Sequence, residues 1–295
     1  MDEAQRDRVA GGQGFFAALD QSGGSTPGAL RLYGVRDDEY SGDAEMFDLV
    51  HRMRERVITS PSFDGRRVLG VILFEQTMDR EIDGVPSARY LADRKGIVPF
   101  LKVDRGLAGQ ADGVQLMKPI DDLDDLLARA TAHGVFGTKM RSAAHLADPR
   151  GMAQLLDQQF EVGQRISAAG LVPILEPEIE ITSPERAETD QLMLDGLLAR
   201  LDGVPADRPV VLKLSLPAAD GFWTPLVEHP KVLRVLALSG GYSRDEAVGK
   251  LSRNPGVIAS FSRALLEGLT AQQTAEQFDR ALDAAAEAIY RASLT

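Results

Sequence analysis

The chain has 295 residues, 44% of them apolar and 26% charged, which suits a globular protein with a full-sized core. Its 33 basic and 44 acidic residues give a net charge of −11, so neither nucleic acid nor an anionic membrane, each of which needs a basic face, is expected as a partner. The absence of cysteine excludes disulfides, Cys-ligated zinc, iron–sulfur clusters and thiol nucleophiles.

The opening MDEAQRDRVA is charged and lacks the apolar stretch of a signal peptide. No apolar run approaches the roughly 20 residues of a membrane span, so a soluble, cytoplasmic protein is expected. A strand at Gly14–Asp20 comes first, then a helix at Asp43–Thr59 and strands at Val68–Glu75 and Ile97–Val103. A helix at Asp121–His133 leads to a strand at Val135–Met140, and a helix at Pro149–Ala169 to a strand at Leu171–Ile179. The helix Pro184–Leu201 precedes strands at Val210–Leu216 and Val232–Ser239. A helix at Ser243–Arg253, a strand at Val257–Ser262 and a helix at Thr274–Ala292 complete the series. Continuous apolar strands read as buried on both faces, the mark of a parallel sheet. Eight of them, alternating with helices and with no linker or repeat, predict an α/β fold. It is a single (β/α)8 TIM barrel occupying residues 1–295. An open doubly wound sheet is the alternative, but no G-x-G-x-x-G follows the first strand.

In such a barrel the chemistry sits at the carboxyl ends of the strands. Those ends read Asp20, Glu75, Lys102, Lys139, Glu176 with Glu178, Lys213, Ser239 and Ser260. Of the 33 basic residues only seven are lysines, and three of these, Lys102, Lys139 and Lys213, lie inside apolar runs. A lysine buried beside a second cation loses affinity for its proton. The free amine can then attack a carbonyl and form an imine, which arginine cannot do. Lys139 and Lys213 are both candidates, one as nucleophile and the other as the neighbouring cation. Glu176 and Glu178, two apart on one strand, share a face and can move the protons that imine formation requires.

Two Gly–Ser segments suit phosphate. LSGGYSRDEA (238–247) leaves a strand through Gly240 and Gly241 and enters a helix, whose first N–H groups are free for an anion. ASFSRAL (259–265) sets Ser260 and Arg263 at the next strand end, and DQSGGS (20–25) adds Ser22 and Ser25. No metal is expected, because the four histidines show no ligand spacing, and no cofactor is implied.

The segments AALDQSGGS, FLKVD, GTKMRS, VPILEPEI, VVLKLSL, LSGGYS and SFSRAL resemble the strand-end motifs of class I fructose-bisphosphate aldolase, and LFEQTMDRE and LMKPID are similar to its short bacterial form. The likeness spans about residues 11–292. It implies a metal-independent lyase that cleaves fructose 1,6-bisphosphate, with phosphorylated ketose and triose phosphates as its partners. By resemblance, Lys213 forms the imine at C2 and Glu176 exchanges its protons. Glu178 orients the lysine, while Asp20 serves the C4 hydroxyl. Lys139 contacts the reacting hydroxyls and depresses the pKa of Lys213. Lys102, Arg141 and Ser25 face the C6 phosphate; Ser239, Gly240, Ser260 and Arg263 hold the C1 phosphate. Two departures accompany it. Tyr290 is the last aromatic residue where the animal enzymes carry a terminal tyrosine, and the first βα loop offers Arg31 near Ala29 in place of the family's basic residue. A phosphosugar isomerase, a non-catalytic phosphosugar-binding barrel and a transaldolase-like enzyme with its imine on Lys139 are the competing readings. Subunit number is left open, a homo-oligomer included.

Overall fold

In the computed structural model, which describes residues 2–295, eight parallel strands close into a barrel. They are β1 (Phe15–Leu19), β2 (Val68–Leu73), β3 (Val98–Lys102), β4 (Gly137–Ala144), β5 (Val172–Ile179), β6 (Val210–Ser215), β7 (Val232–Leu238) and β8 (Val257–Phe261). β1 pairs with both β2 and β8, and β3 shuts the ring by pairing with β4 in a register that sets Lys102 opposite Lys139. Helices such as Gly42–Thr59, Pro149–Ala168 and Ala275–Ala292 pack outside it. The fold is the (β/α)8 barrel that the alternation of elements predicts.

Side chains alternate between the two faces of a strand. Inside the barrel, Phe16, Ala18, Val98, Phe100, Val172, Ile174, Val211, Leu236 and Ile258 form one buried apolar cluster. Continuing the same alternation toward the carboxyl ends replaces these residues by Asp20, Lys102, Glu176, Lys213 and Ser260. The apolar layers therefore form a floor, and the ionisable groups stand on it. Gly137 makes room for that floor: a Cβ there would lie 2.3 Å from the Val172 carbonyl oxygen and 2.5 Å from the Phe100 ring.

Three features depart from the sequence expectations. A helix at Glu3–Gly11 caps the amino-terminal end of the barrel, inserting Val9 into the inner cluster. Arg234 holds its last turn by donating to the Ala10 and Gly12 carbonyls at 2.6 and 3.0 Å. Its sequence gives no apolar stripe, since Val9 is its one buried residue. Second, β4 runs to Ala144 rather than ending at Met140, because its ladder with β5 continues until Ala144 stands opposite Ile179; the buried Ser142 accepts from Gln159 Nε2 at 2.8 Å. Third, Glu75 is not a strand end. β2 stops at Leu73, and Glu75 opens a short helix and pairs with Arg105 and Arg129, outside the lining of the cavity at the barrel mouth.

Candidate active site

A cavity of about 920 Å³ opens at the carboxyl ends of the strands. Asp20, Ser22, Ser25, Lys102, Lys139, Arg141, Glu176, Glu178, Lys213, Ser239, Gly240, Gly241, Ser260 and Arg263 all line it. Residues from strands far apart in sequence thus meet in one volume.

At the centre Glu176 bridges two lysines: Oε1 lies 2.8 Å from Lys213 Nζ and Oε2 lies 3.0 Å from Lys139 Nζ. Lys139 also pairs with Asp20 Oδ2 at 2.6 Å and stands 3.9 Å from Asp104 Oδ2. Asp104 binds Lys102 at 2.6 Å through Oδ1. Lysine and carboxylate thus alternate from Lys213 to Lys102. All these groups are buried except Asp20 and Lys102, which are mostly so. Burial alone raises carboxyl pKa values and lowers those of lysines. Burial indeed pushes the Glu176 and Asp20 carboxyls up, but Lys139 and Lys213 outweigh it and hold both below the usual carboxylate range. Burial likewise pulls down the Lys139 ammonium, and Asp20, Glu176 and Asp104 together lift it above the usual lysine range. Lys102 is lowered, because burial there exceeds the pull of Asp104.

Neither Glu178 nor Lys139 is paired with Lys213 itself. Glu178 does not reach Lys213; its carboxylate is bound to Arg141 Nε, which places the pair together at the rim. The Glu176 carboxylate stands between Lys139 and Lys213 with one oxygen toward each.

The anion side is also rearranged. The N-terminus of the helix Arg244–Leu251 is partly closed. Ser243 Oγ accepts from Glu246 N–H, Glu246 accepts from Ser243 N–H, and Glu267 accepts from Arg244 N–H. The donors left without a partner among the described residues include the Asp245 N–H and, in the preceding turn, the Gly240 and Gly241 N–H groups. Both glycines have positive φ, 60° and 116°. A Cβ on Gly241 would sit 3.7 Å from Arg263 Nη2, so that guanidinium hangs over the turn. Arg263 makes no hydrogen bond or ion pair among the described residues, and Ser260 Oγ is buried without a partner. Across the cavity the Ser25 hydroxyl is already engaged: it accepts from Ser22 N–H at 3.0 Å and donates to the Ser22 carbonyl at 2.9 Å. Arg31 is turned to the surface and paired with Asp37 at 2.9 Å, and Tyr290 does not line the cavity, whereas Tyr33 and Tyr242 do.

Sequence reasoning passed over Asp104, although FLKVD had singled out Lys102 two residues earlier. It also passed over Gln21, on the cavity wall, and Arg54 behind it. Arg54 is fully buried, and burial lowers its pKa to about 10 against the pull of Asp20. Nothing in a helix pattern distinguishes an arginine that turns inward from one in solvent.

The family model of class-I fructose-bisphosphate aldolase matches residues 3–213. A fructose-bisphosphate aldolase class 1 from Synechocystis sp. is 56% identical over 294 residues, covering 100% of this chain and 98% of its own length. Among solved structures, a fructose-bisphosphate aldolase from Plasmodium falciparum, in complex with TRAP and a small-molecule inhibitor, superimposes with a TM-score of 0.78 at 21% identity. The superposition covers 99% of this chain and 93% of that one. A protein of Corynebacterium glutamicum gives a TM-score of 0.57 at 15% identity, with 98% and 92% covered. At these identities the two structures speak for the shared barrel.

Proposed function

The chain belongs to the class I fructose-bisphosphate aldolase family, and from that premise we propose how its buried lysines and carboxylates carry the cleavage of fructose 1,6-bisphosphate into dihydroxyacetone phosphate and glyceraldehyde 3-phosphate. The observation that supports the reading best is the Glu176 carboxylate placed between Lys213 and Lys139 at 2.8 and 3.0 Å. Lys213, having passed a proton to Glu176, attacks the C2 carbonyl as the neutral amine. The carbinolamine then loses its hydroxyl as water, with Glu176 returning the proton, and an iminium forms. Asp20 accepts the proton of the C4 hydroxyl. As the C4 carbonyl forms, the C3–C4 bond breaks and its electron pair passes into the iminium, leaving an enamine on Lys213. Protonation of the enamine at C3 and hydrolysis of the iminium release the second triose. Lys139 keeps both Asp20 and Glu176 ionised between these steps, and it can donate to the reacting hydroxyls. Glu178 holds Arg141 at the rim rather than orienting Lys213.

Dihydroxyacetone phosphate with borohydride tests this reading. Reduction should leave a stable adduct on Lys213 alone, located by peptide mass mapping. A phosphosugar isomerase acting through a carboxylate base would leave no adduct, and an adduct on Lys139 would move the reading to a transaldolase-like enzyme.

We assign the C1 phosphate to Ser239, Gly240, Gly241, Ser260 and Arg263, and the C6 phosphate to the side holding Lys102, Arg141, Ser22 and Ser25. Charge-assisted contacts contribute about 1.5–3 kcal/mol each, so Arg263→Ala should weaken substrate binding roughly ten- to hundredfold. Its effect on KM should largely vanish with fructose 6-phosphate, which lacks the C1 phosphate. An equal penalty on both substrates would show that Arg263 supports the loop instead.

A further inference from the structure

Arg54 sits in the helix Gly42–Thr59, wholly buried, and no carboxylate lies within ion-pair distance of it among the described residues. Such a cation is costly to bury, and an apolar side chain of similar volume would cost less. Its Nε is buried without a partner, and its two terminal nitrogens donate to segments at the barrel mouth. Nη1 donates to Thr77 Oγ1 at 2.7 Å, in the helix that follows β2. Nη2 donates to the Gln21 carbonyl and, at 3.3 Å, to Gln21 Oε1, in the loop after β1.

Arginine has no acceptor, so the Gln21 amide can face it only through its oxygen. The nitrogen must then point the other way, and it donates to Ser262 Oγ at 2.7 Å, in the loop after β8. Gln21 directly follows Asp20, and Ser262 directly precedes Arg263. The orientation of one amide therefore joins the loop carrying the carboxylate to the loop carrying the guanidinium.

We propose that Arg54 is a positioning residue which, through Gln21 and Ser262, couples an anion held at Arg263 to the placement of Asp20. The inference rests on the assignments of Asp20 and Arg263 made above. Phosphate binding then does more than anchor the substrate: it settles the β8 loop, and through Gln21 it settles the β1 loop in the geometry that C3–C4 cleavage needs. A substrate without the C1 phosphate loses that alignment as well as the contact itself.

The test supplies the anion separately, as inorganic phosphite, during cleavage of fructose 6-phosphate. Phosphite should raise kcat/KM of the wild-type protein at least about fivefold, in the range of ordinary coupling between sites. In Gln21→Met, which keeps the length of the side chain and removes both of its polar ends, the activation should fall below about twofold while calorimetry finds phosphite bound within about threefold of wild type. Ser262→Ala should behave in the same way. Arg54→Met should lose the activation, and Arg54→Lys, which still donates to Gln21, should recover part of it. Should the Arg54 variants not fold, the Gln21 and Ser262 variants decide the matter, since both residues lie on loops at the cavity wall. Full activation in Gln21→Met, or none in wild type despite bound phosphite, overturns the coupling and leaves Arg54 a structural arginine. Phosphite binding that survives Arg263→Ala undiminished overturns the phosphate assignment itself, and the coupling with it.

Discussion

Lys213→Arg is expected to lower cleavage of fructose 1,6-bisphosphate by at least about 10⁴-fold, a barrier increase of about 5.5 kcal/mol or more. Arginine retains the positive charge and so preserves the pairing with the Glu176 carboxylate, 2.8 Å from the lysine in the present site. It cannot give up its proton at any ordinary pH, so no nucleophile remains. The fold should survive, and far-ultraviolet circular dichroism together with the denaturant midpoint would establish this. Borohydride labelling should disappear from the variant. Activity above about a hundredth of wild type, some 2.7 kcal/mol of barrier rather than 5.5, would show that covalent catalysis lies elsewhere.

Lys139→Met should damage both stability and activity, for one electrostatic reason. Lys139 is 3% exposed and is the shared cation of Asp20 at 2.6 Å and Glu176 at 3.0 Å. Removing one partner from a buried ion pair costs about 3–5 kcal/mol, because the carboxylates left behind are desolvated and unpaired. The melting temperature at pH 7 should drop on the order of 10 °C. The pH dependence follows from the signs of the shifts. In wild type Asp20 and Glu176 are depressed, so their contribution is present above their unfolded values near 4 and is lost as pH falls through the folded ones. Lys139 is raised, so its contribution is present below the unfolded lysine value near 10.4 and is lost as pH rises through the folded value. The part of wild-type stability that comes from Asp20, Glu176 and Lys139 should therefore be level from about pH 5 to about pH 10. Without Lys139 the two carboxylates face each other with Lys213 as their main remaining cation, and burial now favours protonating one of them. The variant should then be most impaired at neutral pH and should close part of the gap to wild type as pH is lowered toward 5. Cleavage should fall by about 10²–10³-fold, since neither carboxylate is held in the charge state its proton transfer needs. A variant as stable as wild type at pH 7, or one whose deficit grows on acidification, would contradict this account.

The barrel itself was legible in the sequence, because a parallel strand buried on both faces must be apolar along its whole length. Each such run, broken only at its carboxyl end by Asp20, Lys102, Glu176 or Lys213, announced both a strand and the residue that stands above the floor. The preference for arginine made Lys139 and Lys213 stand out, because an amine can form an imine and a guanidinium cannot. The sequence could not say which carboxylate meets which cation. Glu176 and Glu178 are equivalent by spacing, and one step along β5 sends the first between two lysines and the second to Arg141 at the rim. Asp104 and Arg54 belong to the same class of missed residue. Each lies next to a segment already singled out or within a helix already predicted, yet its link to the rest of the site runs through partners more than 20 positions away in the chain. The turn at Gly240 and Gly241 was visible as a candidate anion site, but the start of the helix behind it is partly closed by Ser243, Glu246 and Glu267, the last from the following βα unit. Periodicity reports which side of an element is buried; pairing of charges depends on distances across the barrel mouth, and only closing the ring brings β4, β5 and β6 together with the loops after β1 and β8.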